Sequence, residues 1–318
     1  MLAGPGKPCP RHLVRPAHRQ PSLSWAARPS QSSQPRAPAV PELPEVETIR
    51  RDLEREIVGR RIKSVVATGP RSIRRHKDPE ELQGLLEGHK VTAVCRRGKY
   101  LLIRLEEPGV LVVHLGMSGQ LLRAKTAREP LAPHTHVVIT FTQGGQLRFV
   151  DPRTFGEMFV TRLDELEEQV PELAHLGYDP VDEVMSWTEF GERLHARKAK
   201  LKTLLMDQRF VAGIGNIYSD EILFAAGLRY DRSSETLTSQ EIRRLYRAMM
   251  ETLQDAIKHR GSSLVDQQYL DIFGETGDFQ KLHKVYDREG QSCRRCRSPL
   301  KRVKVGGRST FLCENCQV

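Results

Sequence analysis

The chain has 318 residues, a formal net charge of +10 and six cysteines. That length allows two domains with cores of their own plus a small appendage. No apolar run reaches the length of a membrane span, and six cysteines are too few for a disulfide scaffold in a chain this long, so a cytoplasmic, reducing setting is the expectation.

Residues 1–40 hold eight prolines, six Lys or Arg and no acid, with no hydrophobic periodicity. Such a segment cannot bury enough surface to fold. It lacks the apolar run of a secretory signal, and its proline density argues against a transit helix. A start placed too early accounts for it best, since Val40 precedes Pro41 and valine codons such as GTG can serve as bacterial starts. A removed leader and a genuine tail are the alternatives. Next comes Pro41-Glu42-Leu43-Pro44-Glu45-Val46-Glu47. Pro44 suits a first helical turn, and Glu45 and Glu47 suit the positive end of a helix dipole. Val46, Ile49, Leu53 and Ile57 then recur at helical spacing, giving one apolar face.

From Arg60 to Arg162 the pattern turns to short strands, over 61–67, 90–96, 100–105, 110–115, 136–141 and 146–150. Gly144-Gly145 between two such runs marks a hairpin. Several antiparallel strands in about a hundred residues predict a sandwich, with the first helix packed on it. Residues 163–187 form a connector broken by Pro171 and Pro180. Helices are predicted over 188–207 and over 216–226, the second ending at Gly227. Thr238 and Glu241 make a capping box. It opens a long helix whose Ile242, Leu245, Met249, Leu253 and Ile257 face a core, closed by Gly261. A polar loop follows over 264–280.

The last 38 residues are basic, with ten Lys or Arg against Asp287, Glu289 and Glu314, an electrostatic footprint suited to nucleic acid. They carry Cys293-x-x-Cys296 and Cys313-x-x-Cys316, a spacing that fits one structural zinc ion held by four thiolates. A hairpin turning at Gly306-Gly307 joins the pairs and carries Arg308 at its tip. Upstream, Lys202, Asp207-Gln208 and Gly213-Ile214-Gly215-Asn216-Ile217-Tyr218 form a second constellation. Gly213 and Gly215 bring a tight path to a helix capped by Asn216, whose free N–H groups would bind a phosphate. A helix corner with glycines for close packing is the other reading. Three further stretches sit at strand ends: Arg96-Arg97-Gly98-Lys99-Tyr100, His114-Leu115-Gly116-Met117-Ser118-Gly119 and Asp151-Pro152-Arg153-Thr154-Phe155-Gly156. Each alone reads as turn and core residues.

Together PELPEVE, HLGMSG, the glycine corner ending GNIY and the four-cysteine ribbon, in that order, resemble the bifunctional formamidopyrimidine-DNA glycosylase family from Pro41 to Gln317. Leu43 favours this branch over the endonuclease VIII branch. The resemblance implies an α+β multidomain fold: an N-terminal β-sandwich with the catalytic helix (41–162), the connector (163–187), a helix–two-turn–helix domain (188–283) and a zinc ribbon (284–318). It implies excision of oxidised purines, such as 8-oxoguanine and formamidopyrimidines, from double-stranded DNA, followed by cleavage at the abasic site through β,δ-elimination. Pro41 would be the nucleophile through a free terminal nitrogen, Glu42 the proton donor to the opening sugar and Glu45 its support. Lys99 would serve β-elimination and Arg308 δ-elimination, although arginine is always protonated and is better suited to gripping phosphate. Met117, Arg153 and Phe155 would fill the gap left by a flipped nucleotide. His134, Lys198, Lys202 and Asn216 would contact DNA, and the 264–280 loop would close over the extruded base. The resemblance implies one Zn2+, association with the bacterial nucleoid through DNA, and gives no reason to expect an oligomer or a membrane partner. With residues 1–40 attached, the Pro41 nitrogen is an amide. A catalytically silent damage-binding protein and an enzyme preferring oxidised pyrimidines therefore remain open beside the active purine glycosylase.

Overall fold

A computed structural model describes residues 41–106, 108–264 and 269–318 of the chain. The proline-rich segment 1–40 lies outside these residues, as do residues 265–268 near the start of the 264–280 loop. The first helix, α1 (Leu43–Ile57), starts where the prolines and acids predict, and Val46, Ile49, Leu53 and Ile57 are all buried. Eight strands follow: β1 (Ile62–Ala67), β2 (Val91–Arg97), β3 (Tyr100–Leu105), β4 (Gly109–His114), β5 (Gln120–Ala124), β6 (Thr135–Phe141), β7 (Gln146–Val150) and β8 (Glu157–Arg162). They pair antiparallel into two four-stranded sheets, β1-β6-β7-β5 and β2-β3-β4-β8. Ile49 and Leu53 of α1 share a core with Val65, Leu101, Val113 and Phe149 from the two sheets. The expected sandwich and its packed helix are thus present.

Three elements in this half were not anticipated. The helix α2 (Pro79–Leu86) buries only Leu82 and Leu86, too short a stripe to show a period, and is started by Asp78, which accepts from Glu81 N at 2.9 Å. Strand β5 is short and carries the polar Gln120 and Arg123 near its ends, and β8 follows a turn whose glycine and proline masked its start.

Beyond two short helices, α3 (Leu166–Gln169) and α4 (Pro171–Ala174), the chain is helical. The predicted 188–207 region is two helices, α5 (Trp187–His195) and α6 (Leu201–Met206). Lys200 between them is extended because it bridges Ser233, and Leu201 N donates to Arg232 O at 2.9 Å. Helix α7 (Asn216–Ala226) ends at Gly227 with φ +69°, as expected, but its cap is Gly215 rather than Asn216. Helix α8 (Ser239–Lys258) opens with the Thr238–Glu241 capping box and buries all five residues of its predicted face. These helices enclose a second core, which Leu300 and Phe311 of the C-terminal hairpin complete. That hairpin is β9 (Lys301–Val305) and β10 (Arg308–Leu312), joined by Gly306 and Gly307 at φ +54° and +80°, the twist a two-residue turn needs. No helix among the described residues is long and apolar enough to cross a membrane.

Candidate functional site

The glycine corner and the acidic start of α1 meet. Leu43 N donates to Gly213 O at 2.9 Å, and the Glu42 carboxylate seats itself on the first turn of α7. It accepts from Gly215 N at 2.6 Å, Ile217 N at 2.8 Å and Tyr218 N at 3.3 Å. Both glycines exist for this approach. A Cβ on Gly215 would lie 2.5 Å from Glu42 Cδ, and one on Gly213, whose φ is +89°, would lie 2.6 Å from Leu43 Cβ. Gln208 staples the corner, accepting from Gly213 N and donating to Ile214 O, both at 2.8 Å. This corrects the expectation of a phosphate at that helix terminus: the anion there is Glu42, and close packing is why the glycines are present.

Glu42 is 2% exposed, and burial raises its pKa against the opposing charge of Lys99 and the three N–H donors. Glu45, one turn along, accepts from Glu42 N at 2.9 Å, from Tyr218 Oη at 2.5 Å and from Ser262 N at 2.7 Å. Burial, reinforced by the charge of Glu42, lifts Glu45 to about 7. Lys99 follows Gly98, which turns β2 into β3 at φ +56°. Burial lowers its pKa, with Glu42 and Glu45 opposing and Arg308 adding to the fall. The turn is held from behind, since Gly98 N donates to Asp179 at 3.0 Å and Arg96 donates to Gly98 O at 3.0 Å. Pro41, Glu42, Glu45 and Lys99 therefore form one cluster, with the positive charge of Arg308 reaching it from the hairpin tip. His114 at the end of β4 also borders it, and burial, with the charge of Lys99, lowers its pKa to about 4. In the sequence His114 reads only as the end of a strand.

The Met117 turn and the Arg153–Phe155 turn are bound together by Asp151, whose carboxylate accepts from Ser118 Oγ at 2.5 Å, Arg153 N at 3.2 Å and Gly156 N at 2.7 Å. Phe155 is 50% exposed, the Arg153 guanidinium lies 5.2 Å from its ring centroid, and Met117 is partly buried beside them. His134 is exposed on the neighbouring loop in the left-handed region, φ +63°. Lys198 is exposed and 3.2 Å from Glu235. Asn216 donates through Nδ2 to Ser309 O at 3.0 Å. Lys202 departs from expectation. Its side chain is 2% exposed, and its ammonium lies 2.6 Å from Asp220, whose other oxygen accepts Phe311 N at 2.9 Å. The ammonium is buried in an ion pair that fastens the hairpin to α7, so it is not a surface cation for DNA. Lys202 and Asp220 stand 18 positions apart, a separation that no local pattern could have read as a pair.

The four C-terminal cysteines converge, with all Sγ atoms within 4.8 Å of one another. Cys296 and Cys313 are 3.4 Å apart and Cys293 and Cys316 are 3.9 Å apart, too long for disulfides. Tetrahedral Zn–S bonds of about 2.3 Å put sulfurs roughly 3.8 Å apart, so the donor set fits one zinc ion with no position left open.

Three family models match in chain order: "Formamidopyrimidine-DNA glycosylase N-terminal domain" over residues 40–158, "Formamidopyrimidine-DNA glycosylase H2TH domain" over 176–268 and "Zinc finger found in FPG and IleRS" over 290–318. The formamidopyrimidine-DNA glycosylase of Desulfitobacterium hafniense (strain DSM 10664 / DCB-2) is 43% identical over 273 residues, covering 86% of this chain and 98% of that protein. The crystal structure of the MutM (Fpg) protein of Thermus thermophilus superposes with a TM-score of 0.77 at 41% identity, covering 87% of this chain and 98% of that one. The Lactococcus lactis Fpg, in complex with DNA containing an abasic site, gives a TM-score of 0.79 at 36% identity, covering 87% and 99%.

Proposed function

Because the chain belongs to the formamidopyrimidine-DNA glycosylase family, we propose that it excises oxidised purines from double-stranded DNA and then cleaves the strand, using the nitrogen of Pro41 as nucleophile. The observation that carries this reading is the seat of Glu42: a buried carboxyl on three backbone N–H groups, one residue from Pro41 and facing the charge of Lys99.

The nitrogen needs a free lone pair, so the reactive form begins at Pro41. A terminal amine titrates at about 7.7–8.0, so a useful share is unprotonated at neutral pH. It attacks the anomeric carbon of the damaged nucleotide, and the glycosidic bond breaks with its electron pair leaving on the base, which takes up the proton that the attacking nitrogen sheds. Glu42, whose raised pKa lets it hold a proton, gives that proton to the ring oxygen as the sugar opens to an iminium. Lys99, lowered by burial, serves the β-elimination that breaks the strand on one side of the sugar. Arg308 grips the flanking phosphate for the δ-elimination on the other. Phe155, Met117 and Arg153 enter the duplex where the nucleotide leaves, and His134, Lys198 and Asn216 line the DNA-facing side. Zinc is structural, fixing the hairpin that carries Arg308. Such an enzyme works on cytoplasmic, nucleoid DNA as a monomer.

Borohydride trapping on an 8-oxoguanine duplex tests this. A chain beginning at Pro41 is expected to form a covalent adduct, and the chain beginning at Met1 none. An adduct from the unprocessed chain would refute the terminal-amine mechanism. Faster excision of thymine glycol than of 8-oxoguanine would move the preference to pyrimidines.

A further inference from the structure

Behind the reaction centre, side chains that the reaction above does not use form one connected buried chain. Tyr218 Oη lies 2.5 Å from Glu45 Oε1 and 3.3 Å from Ser262 Oγ, which in turn lies 3.0 Å from His283 Nε2. Ser262 and His283 are each 3% exposed. His283 stands edge-on to both Phe279 and Tyr286, at the far root of the segment that begins at Gly261. Packing alone would be served by any apolar side chain in that aromatic slot. What singles out the imidazole is the hydroxyl aimed at its nitrogen.

Hydrogen counting gives the chain a direction. Burial lowers the pKa of the imidazole and so favours its neutral form, in which one nitrogen is free to accept. With Nε2 accepting from Ser262, the serine oxygen can accept from Tyr218, and the phenol oxygen can accept from a protonated Glu45. When Glu45 is ionised, the phenol turns its hydrogen to the carboxylate and the serine hydrogen stays on His283. The hydroxyl and carboxyl hydrogens of Glu45, Tyr218 and Ser262 then have an acceptor in both states, which a chain ending on an apolar residue could not achieve for the protonated one.

We propose that His283 is a positioning residue for base excision, fixing through Ser262 and Tyr218 the hydrogen-bonded chain that lets Glu45 hold or release a proton beside Glu42. The inference rests on the glycosylase reading above. The charged and titratable groups around the chain are Glu42, Lys99, Tyr218 and Tyr269 at the Glu45 end, and Glu221, Asp287 and Arg294 at the His283 end. Glu221 is fully engaged, accepting the backbone N–H groups of Lys284, Val285 and Tyr286 at 2.8–3.0 Å.

The test is single-turnover excision across pH, on a saturating 8-oxoguanine duplex, with chains beginning at Pro41. His283→Leu removes the terminal acceptor and disfavours protonated Glu45, so the rate falls about tenfold, as for a lost hydrogen bond to an ionisable group, and the profile's limb moves to lower pH. Tyr218→Phe, nearly isosteric, removes the donor to ionised Glu45 and moves the limb to higher pH. His283→Gln, which can still accept from Ser262, restores much of the rate. Profiles in both variants that overlay the parent's would overturn the proposal, and so would equal losses in the Leu and Gln variants that follow a fall in melting temperature. Should His283→Leu fail to fold, the Tyr218→Phe profile decides by the same criterion. A parent chain that neither excises nor traps would instead overturn the glycosylase reading, so the two failures are distinct.

Discussion

Glu42 is a carboxylate defined by its neighbours. In isolation it would be an ordinary acid in the first turn of a helix. Seated on Gly215, Ile217 and Tyr218 it is desolvated and fixed to within a hydrogen bond's tolerance. Gly215 is the residue that permits this, and its φ of −130° is open to any amino acid, so the requirement is one of space. Gly215→Ala would place a methyl 2.5 Å from Glu42 Cδ, against a carboxylate that three N–H groups prevent from swinging aside. A displacement of about 1 Å costs roughly a hundredfold in rate. We therefore expect excision by Gly215→Ala to fall about a hundredfold while folding survives, with circular-dichroism melting as the control. Normal excision by this variant would show that Glu42 does not need its seat. The sequence displayed both Glu42 and the glycines but could not join them, because Glu42 and Gly215 stand 173 positions apart and no local periodicity encodes a contact of that range.

Among the elements, the C-terminal hairpin shows most directly how one piece of structure supports another. It was legible from the Gly306-Gly307 turn between the two cysteine pairs, and its metal from cysteine spacing. Its attachment was not. The hairpin is tied to α7 by Asn216 to Ser309 O, and by Asp220 to Phe311 N with Lys202 pairing Asp220 behind it. A lysine within a basic chain reads as a DNA contact, and only burial shows that this one is taken up by an internal acid. Likewise α2 and β5 escaped notice because each buries too few residues to display a period, whereas α8, with five apolar residues on one face, was plain. If zinc fixes the hairpin, stripping it with a chelator should release the knuckles and let Arg308 drift. We expect DNA cleavage by the Pro41 chain to drop at least tenfold, an order-of-magnitude figure for losing a charged contact. Zinc content by atomic absorption and cleavage on a denaturing gel would be read together, and full cleavage by metal-free protein would exclude this role.

The two cores of the molecule are joined by charge as well as by apolar contact. Arg96 on β2 is 5% exposed and donates to Glu47 of α1 at 3.1 Å, to both oxygens of Asp179 at 2.7 and 3.0 Å, and to Asp182 at 2.9 Å. Asp179 also holds the Lys99 turn. Replacing Arg96 by Met would strand these acids, and breaking such a buried cluster costs about 3–5 kcal/mol. A lowered melting temperature is expected, together with a larger loss in strand cleavage than in duplex affinity, because the Lys99 turn loses its backing. An unchanged melting curve would show the cluster to be dispensable.

One further consequence follows from Glu42 resting on α7. Translation delivers the amino-terminal sandwich to the cell well before residues 213–218 leave the ribosome, so a nascent or truncated chain has the acid without its cradle. Such a fragment would hold Glu42 as a hydrated, ionised carboxylate with no proton to give. The proton that opening the sugar requires is thereby withheld until synthesis has passed the helical half.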